Sequence, residues 1–288
     1  VSLALVTDST AYLPAELLQQ YRVAVVPLRV ACEEREYREG IDLGREELVS
    51  ILRKGRRLTT SRPSPVVLYE AYERLAAQGA THIVSAHLSG ELSGTCDAAE
   101  LAARSSSVPV TVVDSRSMGM GLGFAVLAGA RAIEAGGDAQ QVAQVVGDQA
   151  RRARLLFYVN TLEYLRLGGR IGAASALLGS ALAVKPLLCL QSGRIEPVEK
   201  LRTAGRAVAR LTDLAVQMVE SDGHDGPVEV AVHHIDAPER AERLAGTLRE
   251  RVGGCLGQGA VPVIEIGAVA AAHLGPGALA VVVSPHHE

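Results

Sequence analysis

Residues 81–103 read THIVSAHLSGELSGTCDAAELAA. The short run at 83–86 predicts a buried strand, 89–95 a polar loop, and 96 to about 103 a helix. The loop holds two Ser-Gly pairs, Ser89-Gly90 and Ser93-Gly94, followed by Thr95. Ser93 or Thr95 is placed to cap the helix, because a short hydroxyl accepts a hydrogen bond from the free N–H groups of the first turn. Those N–H groups, with glycine allowing close approach, can also bind an anion. An ordinary capped helix is the simpler reading of this stretch alone, since most caps bind nothing.

The same strand–loop–helix unit recurs on both sides. SLALVTDSTAYLPAELLQQY (2–21) gives a strand at 3–6, Asp8, Ser9 and Thr10 past its end, then a helix with Pro14 in its first turn. RVAVVPLRV (22–30) is predicted as a second strand, CEEREYREG (32–40) as a solvated hairpin or loop, and 42–54 as an amphipathic helix. Ser64-Pro65 starts a helix over about 66–77, and Thr59, Thr60 and Ser61 make a second hydroxyl-rich segment ahead of it. Turn residues solvating their own backbone would look the same. VPVTVVD (108–114) is a strand, and 115–123 leads into a long apolar helix. Repeated units of this kind imply a parallel α/β sheet, with ligands outside the carboxyl ends of its strands. Asp8-Ser9-Thr10, the 89–95 loop and Asp114-Ser115 fall at that edge.

Near residue 150 the pattern changes. Residues 155–184 give a strand, a short helix, a Gly-Gly-Arg turn and a helix of small residues, either packed core or the floor of an apolar cavity. KPLLCLQSGRIEPVEKLR (185–202) is two strands joined at Ser192-Gly193, a hairpin. A helix (203–219), a polar linker (221–227), a strand (228–235) and a helix (237–252) follow. Strands then lie on either side of AAAHLGPGA (270–278), read as a loop. The expected fold is α/β in two domains: a Rossmann-like parallel-sheet domain (1–153) and a C-terminal mixed-sheet domain (154–288).

The chain has 288 residues, 48% hydrophobic, enough for a large core. A net charge of −3, with two Phe, seven Tyr and no Trp, argues against a nucleic-acid binder. Cys32, Cys96, Cys189 and Cys255 are scattered without metal spacing, as expected of reduced thiols in a cytoplasmic protein. No signal peptide precedes the first strand, and the longest apolar run, 173–190, is broken by Lys185-Pro186, so no stable membrane insertion is expected.

Gly119, Gly121 and Gly123 imitate a dinucleotide loop but lack the GxGxxG register, and no P-loop or GxSxG elbow is present. His233-His234 with Asp236 suggests a metal, but adjacent strand residues point to opposite faces. His286-His287 are expected in solvent. His273 stands among small residues with few local polar partners. Arg166, Arg170, Lys200 and Arg202 near turns are either a solvated face or a docking surface for a phosphate-bearing partner.

Taken together, VTDST (6–10), TSRPSP (60–65), SGELSGT (89–95), VVDSRSMGMGLG (112–123), LEYLRLGGRIG (162–172), KPLL…GRIEPVEKLRT (185–203) and HLGPGAL (273–279) resemble the bacterial DegV family. These are fatty-acid-binding proteins that include the lipid-carrying subunits of fatty acid kinase. The resemblance implies a long-chain fatty acid buried between or within the domains, and no cofactor. It implies that Thr60, Ser93 and His273 hydrogen-bond the carboxylate, with Ser61 a substitute for Thr60. Gly94, Thr95, Gly119 and Gly121 fall on the acyl-chain pocket or its loops. In the kinase system a separate ATP-binding protein phosphorylates the bound acid, and Arg170 and Arg202 match the basic residues that dock it. Arg62 stands where glutamine is common, Cys96 where an aromatic often follows, and Leu274 completes the H-x-GPG motif.

A buried carboxylate needs several donors. Two hydroxyls, helix N-terminal N–H groups and an imidazole supply them without a lysine. The aliphatic stretches 123–130 and 173–184 are the expected walls for the tail. A competing reading makes Ser93 a nucleophile and His273 its base in an acyl hydrolase or transferase; the missing elbow and third member count against it. A nucleotide-binding reading rests on residues 119–123 alone.

Overall fold

The computed structural model describes residues 2–177, 184–221, 226–257 and 260–286. β1 (Leu3–Asp8) leads through a 3-10 turn into α1 (Ala15–Gln20) and β2 (Ala24–Val26). RVAVVPLRV, expected as one strand, is two. Pro27 has no N–H for a ladder, and beyond it the chain joins a different sheet as β3 (Arg29–Cys32). β3 forms the expected hairpin with β4 (Arg35–Arg38). After α2 (Arg45–Arg53) comes β5 (Leu58–Ser61), antiparallel to β3 with Thr60 opposite Val30. The hydroxyl-rich segment is therefore strand rather than turn. α3 (Pro65–Ala77) opens on Ser64, whose hydroxyl accepts the Val67 N–H at 3.4 Å. Next are β6 (His82–His87), α4 (Thr95–Ala103), β7 (Val110–Asp114), α5 (Met120–Glu134) and α6 (Ala139–Arg152). Asp138 and Gln141 form a capping box at the start of α6.

The second half supplies β8 (Arg154–Tyr158), α7 (Glu163–Leu167), a 3-10 turn (Gly172–Leu177), β9 (Lys185–Gln191), β10 (Arg194–Leu201) and α8 (Ala204–Ser221). β11 (Val228–His234), α9 (Pro238–Val252), β12 (Val263–Glu265), α10 (Ala268–Leu274) and β13 (Leu279–Pro285) complete it. Half of the small-residue helix expected before Lys185 falls on residues 178–183, outside the described residues, as do 222–225 of the polar linker and His287. AAAHL is not a loop: it is α10, with His273 in its last turn.

Three sheets result. β2-β1-β6-β7 is parallel throughout. β10-β9-β8-β13-β11-β12 is mixed, with only β11–β12 parallel. β4-β3-β5 is a small antiparallel sheet. One apolar cluster joins all three, through Leu5, Val30, Leu122, Phe124, Leu155, Leu188 and Val282. α5 is buried on every side from Met120 to Ala130, as an apolar helix without a polar face must be. Among the described residues no helix is long and apolar enough to cross a membrane.

Candidate functional site

Strand β6 is central in the parallel sheet, and its carboxyl end carries a buried polar chain. The Asp8 carboxylate accepts the N–H (3.0 Å) and hydroxyl (2.6 Å) of Thr10, and the Leu88 N–H at 2.9 Å. Asp8 also meets His87 Nδ1 at 3.1 Å, His87 Nε2 meets Ser85 Oγ at 2.8 Å, and Ser85 meets the Tyr72 hydroxyl at 2.9 Å. The order imitates a catalytic triad. Ser85 is 0% exposed, however, and lines none of the described cavities, so no substrate reaches it. Its effect is to fix where the loop after β6 begins. Sequence reasoning noted Asp8 but missed His87, whose only signal was a histidine ending a buried strand.

The loop is held from outside as well. The Ser89 hydroxyl donates to the Gly193 carbonyl at 2.8 Å, in the β9–β10 turn. Gly193 has φ +83°, and a Cβ there would lie 2.4 Å from Ser89 Oγ, so the turn can sit on the loop only as glycine. Arg170 Nε donates to the Leu92 carbonyl at 3.1 Å and Arg62 Nη1 to the Gly94 carbonyl at 3.0 Å. Two guanidiniums thus bracket Ser93.

These contacts build one wall of a cavity of about 260 Å³. Thr60, Ser61 and Arg62 reach it from β5, Ser93 and Gly94 from the loop, Arg170 from the turn after α7, and His273 from α10. The remaining lining is apolar apart from these groups, with Leu92, Met118, Leu165 and Ile195 among it. Thr60 Oγ1 and His273 Nε2 are 2.9 Å apart, and His273 Nδ1 has no hydrogen-bond partner among the described residues. The Ser93 hydroxyl pairs with Thr95 at 2.9 Å and neither caps α4. Its N-cap is Gly94, so the capping expected of Ser93 or Thr95 is replaced by a bond between them. Ser93 and His273 share no bond, so the nucleophile–base contact of an acyl hydrolase is not formed.

Other expected residues lie elsewhere. Gly119 faces His233, whose Nε2 accepts the Met120 N–H at 2.9 Å, and Gly121 packs on Ser117. Neither lines the cavity. Thr95 is buried behind Ser93, and Arg202 is exposed beyond β10. Residues 123–130 are close-packed core in α5; of 173–184, Ala174 and Leu177 are buried and 178–183 lie outside the described residues. Among the described residues no cluster of three or more His, Cys, Asp or Glu could hold a metal, His233 and His234 included. The hairpin expected to be solvated ends in Glu39, which is 4% exposed. It accepts the Ser9 hydroxyl (2.6 Å), the Tyr12 hydroxyl (3.3 Å) and the Val269 N–H (2.7 Å) in the first turn of α10.

Burial holds His273 down to about 4, helped by the nearby Arg170 charge, so the imidazole is neutral at neutral pH. Burial also holds His233 at about 4, from the usual 6.5. Folded protein binds these protons less tightly than unfolded chain. The histidine contribution is complete above pH 6.5 and is lost as pH falls through about 4, on the order of 3 kcal/mol for His233. Glu39 runs the other way. Burial pushes it from 4.5 up to about 7, against the pull of its three donors, so its contribution is present below pH 4.5 and is lost as pH rises through about 7. Urea midpoints should therefore rise from pH 4 to 6.5, because two histidines outweigh one glutamate, and Glu39→Gln should steepen that rise. A midpoint that falls between pH 4 and 6.5 would refute this balance.

Two glycines at the cavity differ sharply. A Cβ on Gly94 would meet the end of the flexible Arg62 side chain at 2.4 Å, whereas one on Gly168 would meet His273 Nδ1 at 2.1 Å and the Tyr164 carbonyl at 3.1 Å. Gly168→Ala should weaken ligand binding by about tenfold or more by displacing the ring, and Gly94→Ala by less than about threefold. Calorimetric titration of both variants checks this; equal affinities would contradict it.

Residues 2–286 match the profile of the family described as "Uncharacterised protein, DegV family". The chain belongs to the DegV family. A DegV domain-containing protein of Streptomyces coelicolor is 51% identical over 281 residues, 98% of each chain. Protein DegV of Bacillus subtilis is 32% identical over 290 residues, 98% of each. A solved DegV family structure from Thermus thermophilus, described by its fatty acid binding, superposes with a TM-score of 0.88 at 34% identity, covering 99% of this chain and 100% of that one. Bacillus subtilis DegV, described as a fatty acid binding protein, superposes with a TM-score of 0.87 at 31% identity, covering 98% and 99%. The mixed α/β architecture of this DegV chain is thus shared along its whole length.

Proposed function

We propose that this DegV chain binds a long-chain fatty acid in the cavity between β5, the 89–94 loop and α10. The observation that carries the reading is the Thr60–His273 pair at the polar end of an otherwise largely apolar cavity. A neutral His273 that donates from Nε2 to Thr60 leaves the threonine proton free for a carboxylate. Ser93 and Ser61 add hydroxyls, and Arg62 and Arg170 place positive charge at the rim. Charge-assisted bonds contribute about 1.5–3 kcal/mol each. Some fifteen methylenes, at about 0.8 kcal/mol each, add on the order of 10 kcal/mol before ordering costs. The cavity is below the roughly 300–1,000 Å³ usual for ligand pockets. Acyl chain entry therefore requires this apolar lining to yield.

In this proposal the chain is a carrier, not an enzyme. It presents the carboxyl end to a separate ATP-dependent kinase for acyl phosphate formation. Arg170 at the rim and Arg202, exposed past β10, are the docking cations, and the domains divide at 153/154. The six-stranded sheet, built wholly from residues after 153, supports that division.

Solvent extraction of the purified protein followed by mass spectrometry tests the reading. Near-stoichiometric C14–C18 fatty acid is expected. Protein that is empty and also takes up no added palmitate would sink it.

A further inference from the structure

A second cavity, of about 460 Å³, abuts the first turn of α10 rather than its last. It shares no lining residue with the Thr60–His273 cavity. Two hydrogen bonds tie one lining to the other: Ser9 Oγ accepts the Leu28 N–H at 3.0 Å, and Glu39 accepts the Val269 N–H at 2.7 Å. Most of the lining is apolar, from Leu13, Leu18, Val25, Ile41, Leu48 and Ile266.

Its charged groups are mostly acidic. Asp8, Glu39 and Glu265 line it against a single cation, Arg45, and Arg45 is ion-paired with Glu265. Asp8 and Glu39 have hydrogen-bond donors around them, Thr10, Leu88 and His87 on Asp8 and Ser9, Tyr12 and Val269 on Glu39, but no lysine or arginine among these partners. Thr7, 0% exposed, also lines the cavity, and its hydroxyl has no partner among the described residues. An orphaned buried hydroxyl costs free energy that a bound polar group would recover. Two buried carboxyls repel an anionic head and favour a cationic donor.

We propose that this cavity is a second binding site, for a primary alkylammonium group on a short apolar body, separate from the fatty acid site. The ammonium donates to Glu39 and to the orphaned Thr7 hydroxyl, and the body covers the aliphatic wall.

Calorimetric titration of the full chain with n-hexylamine, n-hexanol and n-hexanoate, with and without saturating palmitate, tests this. Hexylamine is expected to bind about tenfold or more tighter than hexanoate, and palmitate to leave its affinity within about twofold. Glu39→Gln should weaken hexylamine by about tenfold and hexanol by less than about threefold. Ile41→Trp narrows the mouth from a side chain 59% exposed, where folding tolerates change, and should weaken all three probes. Absence of saturable binding, hexanoate equal to hexylamine, displacement by palmitate, or both variants retaining wild-type affinity would each overturn the proposal. A chain that takes up no palmitate refutes the fatty acid reading instead and leaves the hexylamine comparison intact.

Discussion

Replacing Ser93 and His273 together by alanine is expected to lower palmitate affinity by roughly 10²–10⁴-fold. Each is assigned one charge-assisted bond, directly or through Thr60, so the pair accounts for about 3–6 kcal/mol. His273 is bonded to Thr60 at 2.9 Å and Ser93 to Thr95 at 2.9 Å. Thr60→Val keeps the shape of the wall and removes the hydroxyl between imidazole and carboxylate; it should cost about as much as His273→Ala. Hexadecanol is the control. It carries the same chain without the charge, so its affinity should change far less in every variant. Because burial holds His273 at about 4, wild-type affinity should stay nearly level between pH 6 and 8. Palmitate binding that survives the double variant would remove the head-group assignment while leaving the apolar cavity in place.

Asp8→Ala is expected to be the most destabilising single change, by about 3–5 kcal/mol. The carboxylate is fully buried and takes the Thr10 N–H, the Thr10 hydroxyl, the Leu88 N–H and His87 Nδ1. Alanine leaves these groups buried without their acceptor, and an unsatisfied buried donor costs about 1–3 kcal/mol. The affected groups lie at the adjacent carboxyl ends of β1 and β6, so the 89–94 loop should loosen as well. Asp8→Asn keeps one acceptor oxygen and should cost about half as much. Urea unfolding followed by circular dichroism gives both values. A loss below about 1 kcal/mol for Asp8→Ala would mean that water or a shifted backbone replaces the carboxylate.

Legibility followed the range of the interaction. The strand–loop–helix at 81–103, the Ser64 cap and the Ser192-Gly193 hairpin depend on neighbours in sequence, and they stand as read. Two errors were local: α4 starts after Gly94 without the expected hydroxyl cap, and AAAHL is helix rather than loop. The others were tertiary. Pro27 split a predicted strand between two sheets. The 59–61 segment became a strand because β3 lies beside it. Glu39, an acidic residue in a charged run, is buried because Ser9, Tyr12 and the start of α10 surround it. No local pattern in the charged run EEREYREG (33–40) separates a solvated glutamate from one with three distant donors.

By itself, the sequence determined the α/β class, the parallel first sheet and a set of motifs spread over nearly the whole chain. Apolar periodicity and capping chemistry are properties of consecutive residues, so they are written there. Only the tertiary structure decided that Thr60 and His273, 213 residues apart, share a hydrogen bond. It also decided that Arg62 and Arg170 bracket Ser93, and that Gly119 and Gly121 serve packing instead. The physical reason is that a binding site is made where the ends of separate strands and helices converge, and that convergence is set by how the three sheets pack on their common core.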